Sequence, residues 1–215
     1  MNKRNLVMAV IAVLVVGYAA GTAVVVPEGG EAQLTGEVEF NSGDVVAEFW
    51  AKNASDYFAK NAHDALQVLE ESGGDLTSVA SKYGHYSMGD KGELSFIVKA
   101  TGTVTEVKDK LRSGYMLVKP DGYEGSKVFR LQIGPVFKGS AVRDTIDLIN
   151  YKDYKNQIEW AEVSKALHDK VLSDIIAPVK PGELAGKKIE FIGCFTVGSQ
   201  PDTLHITPVS IKVLE

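Results

Sequence analysis

LSFIVKATGTVTEV, Leu94 to Val107, is the stretch on which the fold turns. Its apolar and β-branched residues recur with period two, the spacing that sends alternate side chains to opposite faces of a sheet. It predicts one long strand, with Gly102 as a bulge or bend. Reading outward, GYMLVK from Gly114 is a second strand; Pro120-Asp121-Gly122 supplies turn chemistry, and KVFRLQI from Lys127 returns as a third. A Gly/Pro-punctuated loop runs from Gly134 to Gly139. Helical spacing follows from Gln157 to Ile176, where Trp160, Val163, Leu167, Val171 and Ile175 share a face, and Pro178 and Pro181 end the run. KKIEFIGCFTV from Lys187 and TLHITPVSIKVL from Thr203 are two more strands, joined by the turn-like Gly198 to Asp202. Three strands, a helix and two strands is the order of an OB-fold, a small Greek-key barrel that closes its own sheet edges. The expected class is α+β: an OB-like five-stranded β-barrel over 93–215, with a helix between strands 3 and 4, preceded by an N-terminal helical segment.

That helical segment is placed at 44–92. Val45, Val46, Phe49, Trp50, Tyr57, Phe58, Ala62, Ala65, Leu66 and Leu69 recur at three- and four-residue steps up to Ser72, and Gly73-Gly74 stops them. Asp75 then caps a short second helix that Gly84 ends. The cluster Phe49, Trp50, Tyr57 and Phe58 reads as core packing rather than an aromatic ligand site, because helical stripes of this kind serve burial. Residues 27–43 are a linker. Upstream, Leu6 to Val26 carries no charge; as a helix it is about 30 Å long, the thickness of a bilayer's hydrocarbon layer. Lys3 and Arg4 precede it, and Pro27, Glu28 and Glu31 follow, so the positive-inside rule puts the N-terminus in the cytoplasm and the rest outside. A cleaved signal peptide is the alternative, with Gly21-Thr22-Ala23 as its site. The apolar run continues unbroken to Val26, which favours residues 1–26 as a retained anchor. The expected location is thus single-pass in the inner membrane, with the soluble domain in the periplasm.

Charge and composition exclude several classes. The 23 Lys and Arg, less Lys3 and Arg4, stand against 28 Asp and Glu, leaving the remainder at net −7. An acidic domain without a basic cluster is poorly suited to nucleic acid, whose binding rests on phosphate neutralisation. Cys194 is the one cysteine, so no intramolecular disulfide forms, and its apolar setting reads as core. Phosphate-cradling loops, the GxSxG elbow and the HExxH pattern do not occur. His63 and His168 fall in helical stretches and His205 in a strand, where a surface or hydrogen-bonded role is the default; His85, beside Gly84, is in a loop and is a binding candidate. No metal or other cofactor is expected.

Leu131 to Ala161 is the most distinctive segment. Gly134-Pro135 fixes a turn, and Gly139 permits a conformation other residues resist. Arg143-Asp144 and Asn156-Gln157 place a charged pair and two amides in a stretch otherwise suited to packing, and Arg143 offers a planar fork for a carboxylate or phosphate. The competing reading is internal: Arg143 pairs with a carboxylate, Asp144 caps a helix, and the amides satisfy loop backbone. Candidate binding residues are Arg143, Asp144, Asn156, Gln157, Gln132 and His85.

In the same segment, LQIGPVFKGSAVRD followed by NYKDYKNQIEWAEV resembles the bacterial family of predicted periplasmic lipoproteins called domain of unknown function 2291. The matches are Leu131 to Val136, Gly139 to Ala141, Arg143-Asp144 and Asn156 to Ala161, with weaker ones at Trp50, Tyr83-Gly84 and Ile206 to Val209. The resemblance implies an exported, envelope-attached protein with an OB-like barrel, from a family many of whose members are encoded beside sugar-type ABC transporters. It brings no activity to carry over. The sequence departs from the family where the usual lipid-attachment cysteine would stand.

The leading expectation is a non-enzymatic, membrane-tethered binding or accessory protein. Its partners would be the cytoplasmic membrane through residues 6–26, and components of an ABC transporter or a small polar solute. One alternative is a carbohydrate- or envelope-acting hydrolase using Asp144 and a second carboxylate such as Glu159. Another is a structural envelope scaffold, marked by an Arg143 satisfied wholly within the protein.

Overall fold

The structure, a computed structural model, describes residues 41–89, 91–198 and 200–214. The apolar run 6–26 lies outside them, and among the described residues no helix is long and apolar enough to cross a membrane.

Five long strands form the barrel: β3 (Leu94–Lys108), β4 (Ser113–Pro120), β5 (Val128–Pro135), β6 (Lys188–Thr196) and β7 (Thr203–Leu214). β3 pairs antiparallel with β4, β4 with β5, and β6 with both β7 and β3; β5 and β7 run parallel, Val128 beside Thr203 to Leu131 beside Ile206. The ring of pairings closes, so no barrel strand is left with a free edge. This is the five-stranded OB-like barrel expected from the strand order.

The alternation that predicted β3 holds from Val98 to Val104, where Val98, Ala100, Gly102 and Val104 are buried and Lys99 is exposed. From Leu94 to Val98 every residue is buried, because helical segments cover the outer face there. Phe96 and Phe195 are register partners stacked at 5.4 Å inside the barrel. The expected bend at Gly102 sits elsewhere: the register slips between Val104 and Glu106. Gly102 is required for a different reason. A Cβ there would collide with the Lys119 carbonyl on β4.

Upstream, the periodic run is three helices rather than one. α1 (Ser42–Lys52) and α2 (Ala54–Asn61) meet at Asn53. Asp64 then accepts from Leu66 N–H and Gln67 N–H to cap α3 (Ala65–Ser72), and β1 (His63–Asp64) lies parallel to β3. Gly73, in the left-handed region, ends α3. Asp75 caps the 3-10 turn Leu76–Val79, which leads into α4 (Ala80–Tyr83) and β2 (Gly84–Tyr86), antiparallel to β3. Phe49 and Phe58 are buried edge to face, the core role expected of that cluster. These helices and the barrel belong to one unit spanning Asn41–Glu215.

Between β5 and β6 come α5 (Ala141–Asp144) and α6 (Gln157–Lys170), the latter packed on α1. α6 passes without a break into the π-helical turn Val171–Ile176 and a last turn, Ala177–Val179. The wider turn shifts the helix face by one residue, so Ile176 is buried where constant spacing pointed to Ile175. Pro178 therefore does not stop the helix; the chain turns at Lys180, φ 49°, before Pro181.

Candidate functional site

α5 is a single turn held against the outer face of β6. Thr145, just after it, donates its hydroxyl to Ala141 O at 2.9 Å and to Cys194 Sγ at 3.3 Å. Burial pushes the Cys194 thiol up to about 12, so it is a core residue in chemistry as well as position. A second clamp comes from α2: Tyr57 donates its hydroxyl to Thr145 O at 2.8 Å and accepts from Asp147 N–H at 2.9 Å. Burial raises the Tyr57 pKa, keeping the phenol protonated for that role.

So positioned, Arg143 and Asp144 turn their side chains into a nearly closed ion pair. The Arg143 side chain is 10% exposed and that of Asp144 0%. Arg143 Nε and Nη2 both donate to Asp144 Oδ1, at 2.8 and 2.6 Å, and Nη1 donates to Trp160 O at 3.0 Å. The guanidinium carbon lies 4.2 Å from the centre of the Trp160 ring. Trp160 is in turn flanked by Tyr151 and Tyr154 at 5.7 and 5.1 Å. These bonds use three of the five N–H groups a guanidinium carries. Asp144 Oδ2 is buried without a hydrogen-bond partner among the described residues. Burial pushes the Asp144 carboxyl up, against the pull of Arg143.

The pair stands at the wall of a cavity of about 400 Å³, bounded by β2 and the turn after it, by 143–152, and by Trp160. His85 faces the same cavity and meets Asp147, Nδ1 to Oδ1, at 3.3 Å. Of the residues singled out in the sequence, Arg143, Asp144 and His85 thus converge. Asn156 and Gln157 do not: Asn156 Oδ1 accepts from Ile158 N–H and Glu159 N–H as the cap of α6, and Gln157 is exposed. Gln132 lies under a different pocket, its amide committed to Thr207 and to the backbone of Lys138. Asp144 caps nothing; it sits inside α5. Glu159 accepts from Lys155 N–H, and among the described residues the second carboxylate lining the Asp144 cavity is Asp147.

Sequence reasoning passed over Asp147, Asn150 and Trp160, all inside the distinctive segment. The missing signal was the proximity of residues 84–89, which β2 brings in by pairing with β3. His168, expected at the surface or hydrogen-bonded, is instead stacked on Phe137 at 4.7 Å with Nε2 buried and without a hydrogen-bond partner among the described residues, and burial lowers its pKa to about 4. Among the described residues no cluster of His, Cys, Asp or Glu is placed to hold a metal ion.

An OB-like barrel with an ion-paired pocket on its outer wall defines the kind of protein this is. The chain belongs to the family described as "Predicted periplasmic lipoprotein (DUF2291)", whose model matches residues 10–212. Membership makes the folded part an extracytoplasmic domain. Among solved structures it is similar to an OB-fold protein from Thermotoga maritima, with a TM-score of 0.66 and 17% identity over 82% of this chain and 100% of that one. At that identity the likeness shows the fold alone. No curated protein matches the chain.

Proposed function

We propose that this chain is a membrane-tethered binding module that takes a small neutral polyol or sugar in the Arg143 cavity and serves a sugar-type ABC uptake system, with residues 6–26 as its tether. The observation that carries this reading is Arg143 in the lining of a cavity of about 400 Å³, with three of its five guanidinium N–H groups taken by Asp144 and Trp160 and its side chain still 10% exposed. Buried polar groups are normally satisfied, and an orphaned one asks for a partner from outside. Guanidinium donors next to an aromatic ring suit a molecule bearing several hydroxyls. The volume falls in the range of small-molecule sites, roughly 300–1,000 Å³.

The test has two arms. Full-length protein in detergent is melted with glucose, ribose and glycerol. A ligand present at about 100 times its Kd adds about 2.7 kcal/mol, which for a domain of this size raises Tm by roughly 5–10 °C. Asn150→Ala, at the cavity's edge, should shrink that rise while leaving the unliganded Tm nearly unchanged. In parallel, capture of the protein from native membranes should recover transporter components. Flat melting temperatures across the panel together with an empty capture would sink the reading.

A further inference from the structure

Four side chains of the barrel strands, Tyr115, Arg130, Gln132 and His205, take no part in the Arg143 cavity. Along β5, Phe129, Leu131 and Ile133 point into the barrel, so Arg130 and Gln132 point outward. Register places Tyr115 of β4 beside Gln132, and His205 of β7 beside Arg130. Tyr115 is therefore the diagonal neighbour of Arg130, and the guanidinium carbon lies 3.6 Å from the Tyr115 ring centre. Three strands thus present one outward row of Tyr115, Arg130 and His205. The loop after β5 adds a second cation. Gln132 accepts from Lys138 N–H at 2.6 Å and donates to Lys138 O at 3.2 Å, which fixes that residue at the row's edge. Lys138 Nζ and His205 Nε2 both approach Gln200 Oε1, at 3.4 and 3.0 Å.

A pocket of about 450 Å³ lies over this row, and among the described residues its lining includes Arg130, Lys138 and His205 but neither Asp nor Glu. In a chain of net charge −5 that local balance is out of character. The Arg130 side chain makes no ion pair or hydrogen bond among the described residues; its partner is the Tyr115 ring, which grips the guanidinium by its face and leaves its N–H edge available. An arginine held flat in this way is prepared for an in-plane, bidentate oxyanion. Burial first, and then the nearby Lys138 and Arg130 charges, depress the His205 pKa.

We infer that this outer β4–β5–β7 row is an oxyanion site, separate from the Arg143 cavity, which holds the phosphate or carboxylate of a small organic solute between Arg130, Lys138 and the His205 edge. The anion supplies the carboxylate that the protein omits. Tyr115 keeps the arginine in plane, and Gln132 holds the Lys138 loop in place without touching the ligand. The two pockets share no lining residue, so this site stands or falls independently of the neutral-solute reading.

The experiment follows the His205 ring resonance of the full chain in detergent during titration with inorganic phosphate, glucose 6-phosphate and glucuronate, with glucose as the neutral control. At least one anion should move the resonance saturably and raise the His205 pKa, while glucose does not. Glucose 6-phosphate binding tighter than inorganic phosphate identifies a sugar-borne ligand, and a response to glucuronate extends the site to carboxylates. Arg130→Gln and Lys138→Gln, made singly at exposed or half-exposed positions, should each weaken binding about tenfold or more, as expected for losing a charged hydrogen-bond donor. His85→Ala, in the other cavity, should leave the titration unchanged. No response to any of the three anions, an unaltered response in both charge variants, or loss of the response in His85→Ala would overturn the inference.

Discussion

Arg143 and Asp144 are adjacent in the chain, yet each depends on the other for being buried at all. Removing one partner of a closed ion pair strands the other charge, at a cost of about 3–5 kcal/mol, whereas replacing both with apolar groups of similar size is often close to neutral. Asp144→Ala should therefore destabilise by that amount in urea unfolding, and Arg143→Met with Asp144→Leu should cost clearly less; additive losses would show that the two are not a unit. His168 gives a pH prediction. Its folded pKa, about 4, lies below its ordinary 6.5 because burial opposes the charged ring. A depressed pKa means the stabilising preference for the neutral form is fully present above pH 6.5 and is lost as pH falls toward 4. The loss is on the order of 3 kcal/mol. His168→Phe keeps the stack on Phe137 and removes the titration. Its urea midpoint should fall less than the wild type's between pH 7.5 and 4, and parallel curves would refute the assignment. Residue chemistry of this kind was partly legible. Arg143-Asp144 stood out as a charged pair in an apolar stretch, but nothing in one dimension says that Asp144 closes on its own neighbour or that His168 is buried.

At the scale of elements, periodicity located the segments and tertiary contacts set their ends. β3 to β7 lie where alternation placed them. The single helix expected up to Ser72 is broken because Asp64 caps a new helix and residues 63–64 leave to pair with β3, a contact between positions far apart in sequence. The long helix after β5 was legible up to Val171 and then misread by one residue, since constant spacing cannot anticipate a π-turn. Mutation can read that shift. Ile176 is 4% exposed, while Ile175 is only half-buried. Ile176→Ala should cost about 2–4 kcal/mol, the usual range for emptying a core isoleucine. Ile175→Ala should cost no more than about 1 kcal/mol, as expected away from a core contact. If the two losses come out reversed in denaturant midpoints, α6 continues without the π-turn.

For the whole molecule, the order of strands carried the barrel, because an OB-like closure asks that β7 return beside both β5 and β6 and that β6 pair back onto β3. The pockets were not legible, since one needs β2 brought against 143–152 and the other needs three strands in register. The proposed attachment to the membrane rests on a similar joining of distant facts. Lipidation needs an accessible thiol, and Cys194 is fully buried on β6 with its thiol held protonated. The proposed tether is therefore the charge-free run Leu6 to Val26, long enough for a helix to cross a hydrocarbon layer of about 30 Å. On that basis the protein should sediment with membranes, stay there through an alkaline carbonate wash that strips peripheral proteins, and be digested by protease added to spheroplasts. Mass mapping of the membrane fraction should find Leu6 to Val26 still joined to the domain. Exchange of residues 1–26 for a cleavable leader should move the domain to the soluble periplasmic fraction with its melting temperature unchanged, because the unit that holds the barrel spans Asn41–Glu215. A mature N-terminus just after Ala23 would overturn the tether and make the domain a freely diffusing one. The Arg143 cavity would then have to deliver its solute without the proximity to a transporter that a membrane anchor provides.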